Sequence, residues 1–166
     1  MSSFNQTLNK NKQFIIAIKV VKSSKSDGYS NTEAQKLIID APIKRALIDT
    51  GASNTCIAQE CADELELVPI GKSTITTASS NCDVNNYIVD FAIPVTTTAL
   101  QPVKASDKQD GFVEQVVAEE HWAHAQRNIH SIPTIGRDRG FDVILGMDIL
   151  SKMHITMFNE AIIMSF

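Results

Sequence analysis

The chain has 166 residues, 43% of them hydrophobic, and a formal net charge of −4. That length supports one domain with a sizeable core. The acidic balance leaves no basic footprint for nucleic acid, and no apolar run approaches the length of a membrane span.

Met1 to Lys12 is polar, rich in Asn, Gln and Ser, and lacks the apolar core of a signal peptide; residues 1–12 read as a tail. Phe14 to Val21 is apolar and β-branched, which predicts a first strand. Lys22 to Asn31 reads as a loop and Lys36 to Asp40 as a second strand. After a turn at Ala41-Pro42, Ile43 to Ile48 is a strand that runs into Asp49-Thr50-Gly51-Ala52-Ser53. A buried strand that stops at an acid, a hydroxyl and a glycine places a carboxylate where the backbone turns. Gly51 lets other backbone come close there.

Ile57, Cys61 and Leu65 recur every four residues, so a short helix is expected from about Ala58 to Glu66, closed by Pro69 and Gly71. Lys72 to Thr77, a polar turn through Ala78, Ser79, Ser80 and Asn81, and Val84 to Val95 make a hairpin. Thr96 to Asp110 is polar and reads as a surface excursion. Phe112 to Ala118 reads as a strand, and Glu119 to Asn128 has helix formers with Trp122 and Ala123 available for packing. Pro133 to Gly140 is a turn-rich loop. Phe141 to Leu145 is a second apolar strand ending in glycine, at Ile144-Leu145-Gly146, and Met147 to Lys152 follows as a short helix. Ile155 to Phe158 and Ala161 to Phe166 close the chain as strands. The last is an apolar strand whose edges need a partner.

Ala46 to Ser53 resembles the active-site loop of aspartic proteases, in which Asp-Thr-Gly ends a hydrophobic strand. Ile144-Leu145-Gly146 and the helix after it resemble the aliphatic-aliphatic-Gly strand and short helix that, in the retroviral-type, gag-pol-like members, the retropepsins, thread beside the Asp-Thr-Gly loop. The two runs stand in the right order, about one protease domain apart, and the resemblance covers roughly Gln13 to Phe166. It implies an all-β fold: a closed β-barrel or sandwich with a flap hairpin and one or two short helices, over residues 13–166. Residues 100–140 are then an insertion that either lengthens the substrate groove or extends the dimer interface. The flap tip falls at Thr77, Ala78, Ser79 and Ser80, where the family usually has glycine. The family's pairing of chain ends across a dimer is what the C-terminal strand would satisfy. Viral members carry an ion pair at the positions of Ser53 and Met147, so that pair is expected to be absent here. The Gly-Met-Asp-Ile-Leu run looks more like retropepsin-like proteins of cells or retroelements.

Hydrolysis of a peptide without metal or covalent intermediate needs a water deprotonated and a carbonyl protonated together. Two carboxylates sharing one proton do both, and held close they cannot both ionise, as is established for aspartic proteases as a class. The split titration belongs to the pair. This chain has a single Asp-Thr-Gly, so the resemblance implies a homodimer with Asp49 of each copy on the two-fold axis. Thr50 would bond across that axis, Gly51, Ala52 and Ser53 would support the loop, and an extended polypeptide would be held by its main chain. Neither cofactor nor metal is implied.

Other readings stand beside this one. Asp49 alone is compatible with a strand-end turn, and Ile144-Leu145-Gly146 with a buried strand making a close approach. The same fold can serve as a catalytically silent, dimeric peptide-binding module. His121, His124 and His130 fit no common metal spacing and read as a surface helix. Cys56, Cys61 and Cys82 form no metal spacing and leave an odd thiol, which points to a reduced, cytoplasmic protein. Asp148 reads as a helix-terminal acid.

Overall fold

The computed structural model describes residues 2–7, 9, 12–23, 31–76, 81–104, 112–133, 139–158 and 161–165. Its strands are β1 (Ser2–Thr7), β2 (Ile15–Lys22), β3 (Ile43–Ile48), β4 (Cys56–Ala58), β5 (Gly71–Thr76), β6 (Asn81–Lys104), β7 (Phe112–Ile132), β8 (Val143–Leu145), β9 (His154–Phe158) and β10 (Ala161–Ser165). Its helices are α1 (Asn31–Asp40), α2 (Gln59–Glu64) and α3 (Met147–Leu150). No helix among the described residues is long and apolar enough to cross a membrane.

Six strands close on themselves in the order β2, β3, β8, β4, β7, β6 and back to β2. The β3–β8 and β4–β7 pairs are parallel and the other four antiparallel. Closure removes the sheet edges that would otherwise template pairing with other chains. The barrel interior holds Ile18, Ile57, Phe91, Ile129, Val143 and Leu145, all essentially inaccessible to solvent. Each such side chain is worth about 1.5–3 kcal/mol of burial. The mostly-β barrel with short helices is the fold class read from the chain. The expected hairpin is present as β5 and β6, in register from Gly71↔Asn86 to Thr76↔Asn81. The flap residues Thr77, Ala78, Ser79 and Ser80 lie outside the described residues.

Four local expectations are corrected. Lys36 to Asp40 is the end of helix α1 and not a strand. Its start carries Glu33, Ala34 and Gln35, good helix formers that override the short aliphatic run behind them. Only Ile38 of that run is buried, while Leu37 and Ile39 face solvent. The helix stops just before Pro42, which disfavours helical backbone in the residue preceding it. The ammonium of Lys19 donates to the Ile39 carbonyl at this terminus. The same group lies 4.9 Å from the centroid of the Trp122 ring, so this buried lysine is satisfied on two sides.

Glu119 to Asn128 is strand, within β7, despite its helix formers. The partner decides: β6 pairs with β7 without a break from Asn86↔His130 to Lys104↔Phe112, and tertiary pairing overrides propensity. The same ladder turns most of the expected excursion from Thr96 to Asp110 into strand, through Lys104. The polar N-terminal segment contains β1, which pairs with β10 from Ser3↔Ser165 to Thr7↔Ala161. Strand β10 also pairs with β9, so both its edges are filled within one chain.

Candidate active site

Asp49 follows β3 directly, and backbone contacts fix its place. Its N–H donates to the Leu145 carbonyl at 3.1 Å, and its own carbonyl accepts the Ala52 N–H at 3.3 Å. The Gly51 N–H donates to Asp49 Oδ1 at 2.8 Å, so the carboxylate is held by its own loop. A Cβ on Gly51 would sit 3.1 Å from that oxygen, a tight approach that the carboxylate must yield to by a few tenths of an ångström. Asp49 is half-buried, while Thr50, Gly51 and Ser53 are exposed.

The loop forms one side of a cleft of about 740 Å³. Asp49, Gly51, Ala52, Ser53 and Asn54 line it from below, Ser73 to Thr76 of β5 from the hairpin side, and His130, Ile132, Ile144 and Arg139 along the walls. The structure therefore brings together the Asp-Thr-Gly loop, the root of the hairpin and the β8 strand. Ile144 contributes to the wall, Leu145 is core, and Gly146 is buried behind the loop.

Behind the loop is a clamp. The Met147 N–H donates to Ala52 O at 2.8 Å and the Asp148 N–H to Ser53 O at 3.2 Å. The Gly146 N–H donates to Thr55 Oγ1 at 3.1 Å, and the Thr55 hydroxyl donates to Asp148 Oδ1 at 2.7 Å. Thr55 is wholly buried, so its hydroxyl depends on these two partners. Asp148 does stand in the first turn of α3, but the helix has no side-chain cap and the carboxylate reaches Thr55 instead. Backbone bonds thus join Ala52 and Ser53 of the loop to Met147 and Asp148 of α3.

Removing the Asp148 acceptor leaves a buried hydroxyl unpaired, at a cost of about 1–3 kcal/mol. Asp148→Ala is therefore expected to lower the melting temperature by several degrees in a thermal scan, whereas Asp148→Asn, which keeps an Oδ1 acceptor, retains most of the stability.

Cys56 lies beside this clamp. Burial, and then the Asp148 carboxylate, push its thiol up to about 11. Its Sγ donates to the Asn54 carbonyl at 3.4 Å. A thiol held neutral is no nucleophile at neutral pH. Iodoacetamide at pH 8 is expected to label half-buried Cys82 first and to reach the buried Cys56 and Cys61 only on unfolding, as read by peptide mass mapping.

The three histidines lie on strand β7, not on a helix. His121 Nε2 is 2.6 Å from Thr97 Oγ1, and His130 Nδ1 is 2.7 Å from Asn86 Oδ1. Among the described residues no group of three or more His, Cys, Asp or Glu gathers in a metal-binding cluster. Sequence reasoning missed Thr55, His130 and Arg139 as site residues. The β4–β7 pairing that sets His130 opposite Cys56 leaves no periodic trace in the sequence.

Residues 37–149 match the family described as aspartyl protease. The fold is similar to the crystal structure of a retropepsin-like aspartic protease from Rickettsia conorii, with a TM-score of 0.52 and 13% identity over 99% of this chain and 91% of that one. No curated protein matches the sequence.

Proposed function

The chain belongs to the aspartyl protease family, and from that premise we propose that it is an endopeptidase whose acid–base pair is Asp49 of each of two copies. The observation that carries the reading is the position of Asp49: half-buried at the base of a peptide-sized cleft, on a loop clamped from behind. Among the described residues lining the cleft it is the one carboxylate. One carboxylate cannot take a proton from water and give one to a carbonyl at the same instant, so a second copy completes the site.

In that dimer the ionised Asp49 takes a proton from the water as its oxygen adds to the scissile carbonyl. The protonated Asp49 donates to the carbonyl oxygen, giving a neutral gem-diol. Collapse of the diol breaks the C–N bond; one carboxyl delivers a proton to the departing amine and the other recovers a proton from the diol. Thr50 and Gly51 are exposed at the loop tip, and in the proposed dimer they would meet the second copy's loop. The polypeptide substrate would add along β5. That strand pairs with β6 on one side, and its residues Ser73 to Thr76 line the cleft.

The test is digestion of a mixed peptide library from pH 3 to 7, with the oligomeric state measured by sedimentation. Cleavage by a dimer, peaking below neutrality because the pair must keep one proton, is the expected result. A proven dimer that binds peptides and cuts none overturns the reading in favour of the silent binding module.

A further inference from the structure

We infer that the cleft selects peptides carrying an acidic side chain, Asp or Glu, within a residue or two of the cleaved bond, and that Arg139 and His130 select it. The inference rests on the reading of this cleft as the peptide groove. Three charge-bearing or imidazole side chains line it among the described residues: Asp49, His130 and Arg139. The first is committed to the chemistry. Arg139 gives the wall a positive charge, against a net −4 for the chain as a whole, and His130 adds an imidazole beside it.

Arg139 is exposed and has no ion-pair partner among the described residues. A guanidinium exposed in a groove offers a planar fork of donors that fits a carboxylate in two bonds at once. His130 is oriented by a chain of contacts. The Asn86 amide nitrogen donates to Ser73 Oγ at 2.7 Å, which turns the Asn86 oxygen toward the ring. His130 Nδ1 then donates to that oxygen, leaving Nε2 for a ligand. In the doubly protonated ring Nε2 is also a donor. His130 stands opposite Cys56 on one side and Asn86 on the other, in the same cleft as Asp49. The selected side chain therefore lies close to the reacting bond.

The opposing effect is the net negative charge. At physiological salt it is screened over about 8 Å, so it weakens long-range steering but not a contact pair in the groove. An exposed pair of this kind yields a preference of up to about fivefold.

The experiment profiles cleavage of a mixed peptide library by the full chain at pH 5.5, beside Arg139→Ala, Arg139→Glu and His130→Phe. In parallel, a fluorescein-labelled octapeptide with central Glu, and its Lys counterpart, are titrated onto Asp49→Asn. The expected result is enrichment of Asp or Glu at one position by up to about fivefold, flattened in Arg139→Ala, reversed toward Lys or Arg in Arg139→Glu and weakened in His130→Phe. The Glu peptide binds the Asn variant more tightly than the Lys peptide. Equal binding of the two peptides, or an unchanged profile in Arg139→Glu, overturns the inference. Selective binding of the Glu peptide without any cleavage upholds the selection and overturns the hydrolase reading alone. Arg139 is exposed, so its variants fold.

Discussion

Asp49→Asn is expected to abolish peptide cleavage, by about 10³-fold or more, with the fold unchanged. The substitution removes the ionisable group and little else. Asn keeps an Oδ1 that can accept the Gly51 N–H, the contact that holds the carboxylate in its loop. The backbone bonds of residue 49 to Leu145 and Ala52 do not involve the side chain. The melting temperature should therefore move by no more than a few degrees, since surface-accessible substitutions of this kind stay within about 0.5 kcal/mol. Peptide affinity should be kept or improved, because a negative charge leaves the groove. Residual cleavage above about a tenth of wild type, in a chain of unchanged stability, would place the chemistry elsewhere.

Gly146→Ala is expected to be the most damaging small change in the site. The new Cβ would lie 2.5 Å from the Asn54 carbonyl carbon and 2.6 Å from its oxygen, and both are backbone atoms that cannot swing aside. The backbone of Gly146 is extended, with φ −94° and ψ −178°, so conformation does not demand glycine here; space does. Overpacking of this kind costs about 1–3 kcal/mol, and more where the obstacle is rigid. To relieve it, the segment from Ala52 to Thr55 must move off α3, loosening its bonds to Met147 and Asp148. A shift of about 1 Å in the loop that carries Asp49 is worth about 10²-fold in rate. Chemical denaturation and library cleavage read the two effects separately. Gly51→Ala, whose Cβ meets a side-chain oxygen at 3.1 Å, should cost less stability.

The parts of this molecule legible in its sequence are those whose cause is local. The β3 run into Asp49-Thr50-Gly51 and the β8 run into Gly146 show a strand period broken by turn residues. Both are strands in the structure, as read, and they pair parallel from Ala46↔Val143 to Ile48↔Leu145, an adjacency that the family resemblance and not the residues themselves suggested. The β5–β6 hairpin was legible for the same reason. Segments whose state depends on a distant partner were not. Residues 119–128 have helix-forming composition and become strand because β6 lies alongside. The polar strand β1 is held by β10 from the other end of the chain, through backbone bonds that composition does not encode. In α1 the apolar run at its end misled, and the helix formers before it were the better guide. The Thr55–Asp148 bond joins residues 93 positions apart, which no spacing pattern reveals.

The terminal strands bear on how two copies would meet in the proposed dimer. Within one chain β10 is already flanked by β1 and β9. Pairing of the chain ends across a dimer would therefore exchange strands already satisfied, or use the outer edge of β9. The Asp49 loop has its exposed tip at Thr50 and Gly51 available in either case.

The central claim is that one working site needs Asp49 from two chains. The most direct measurement mixes wild-type protein with increasing Asp49→Asn at fixed wild-type concentration, allows subunits to exchange, and follows peptide cleavage. If two Asp49 carboxylates are required, activity falls with the number of wild-type pairs left, which follows the wild-type share of the subunits: an equal mixture keeps about half, and a tenfold excess of the variant about a tenth. If activity stays constant as the variant is added, each chain works alone and the shared dyad is contradicted.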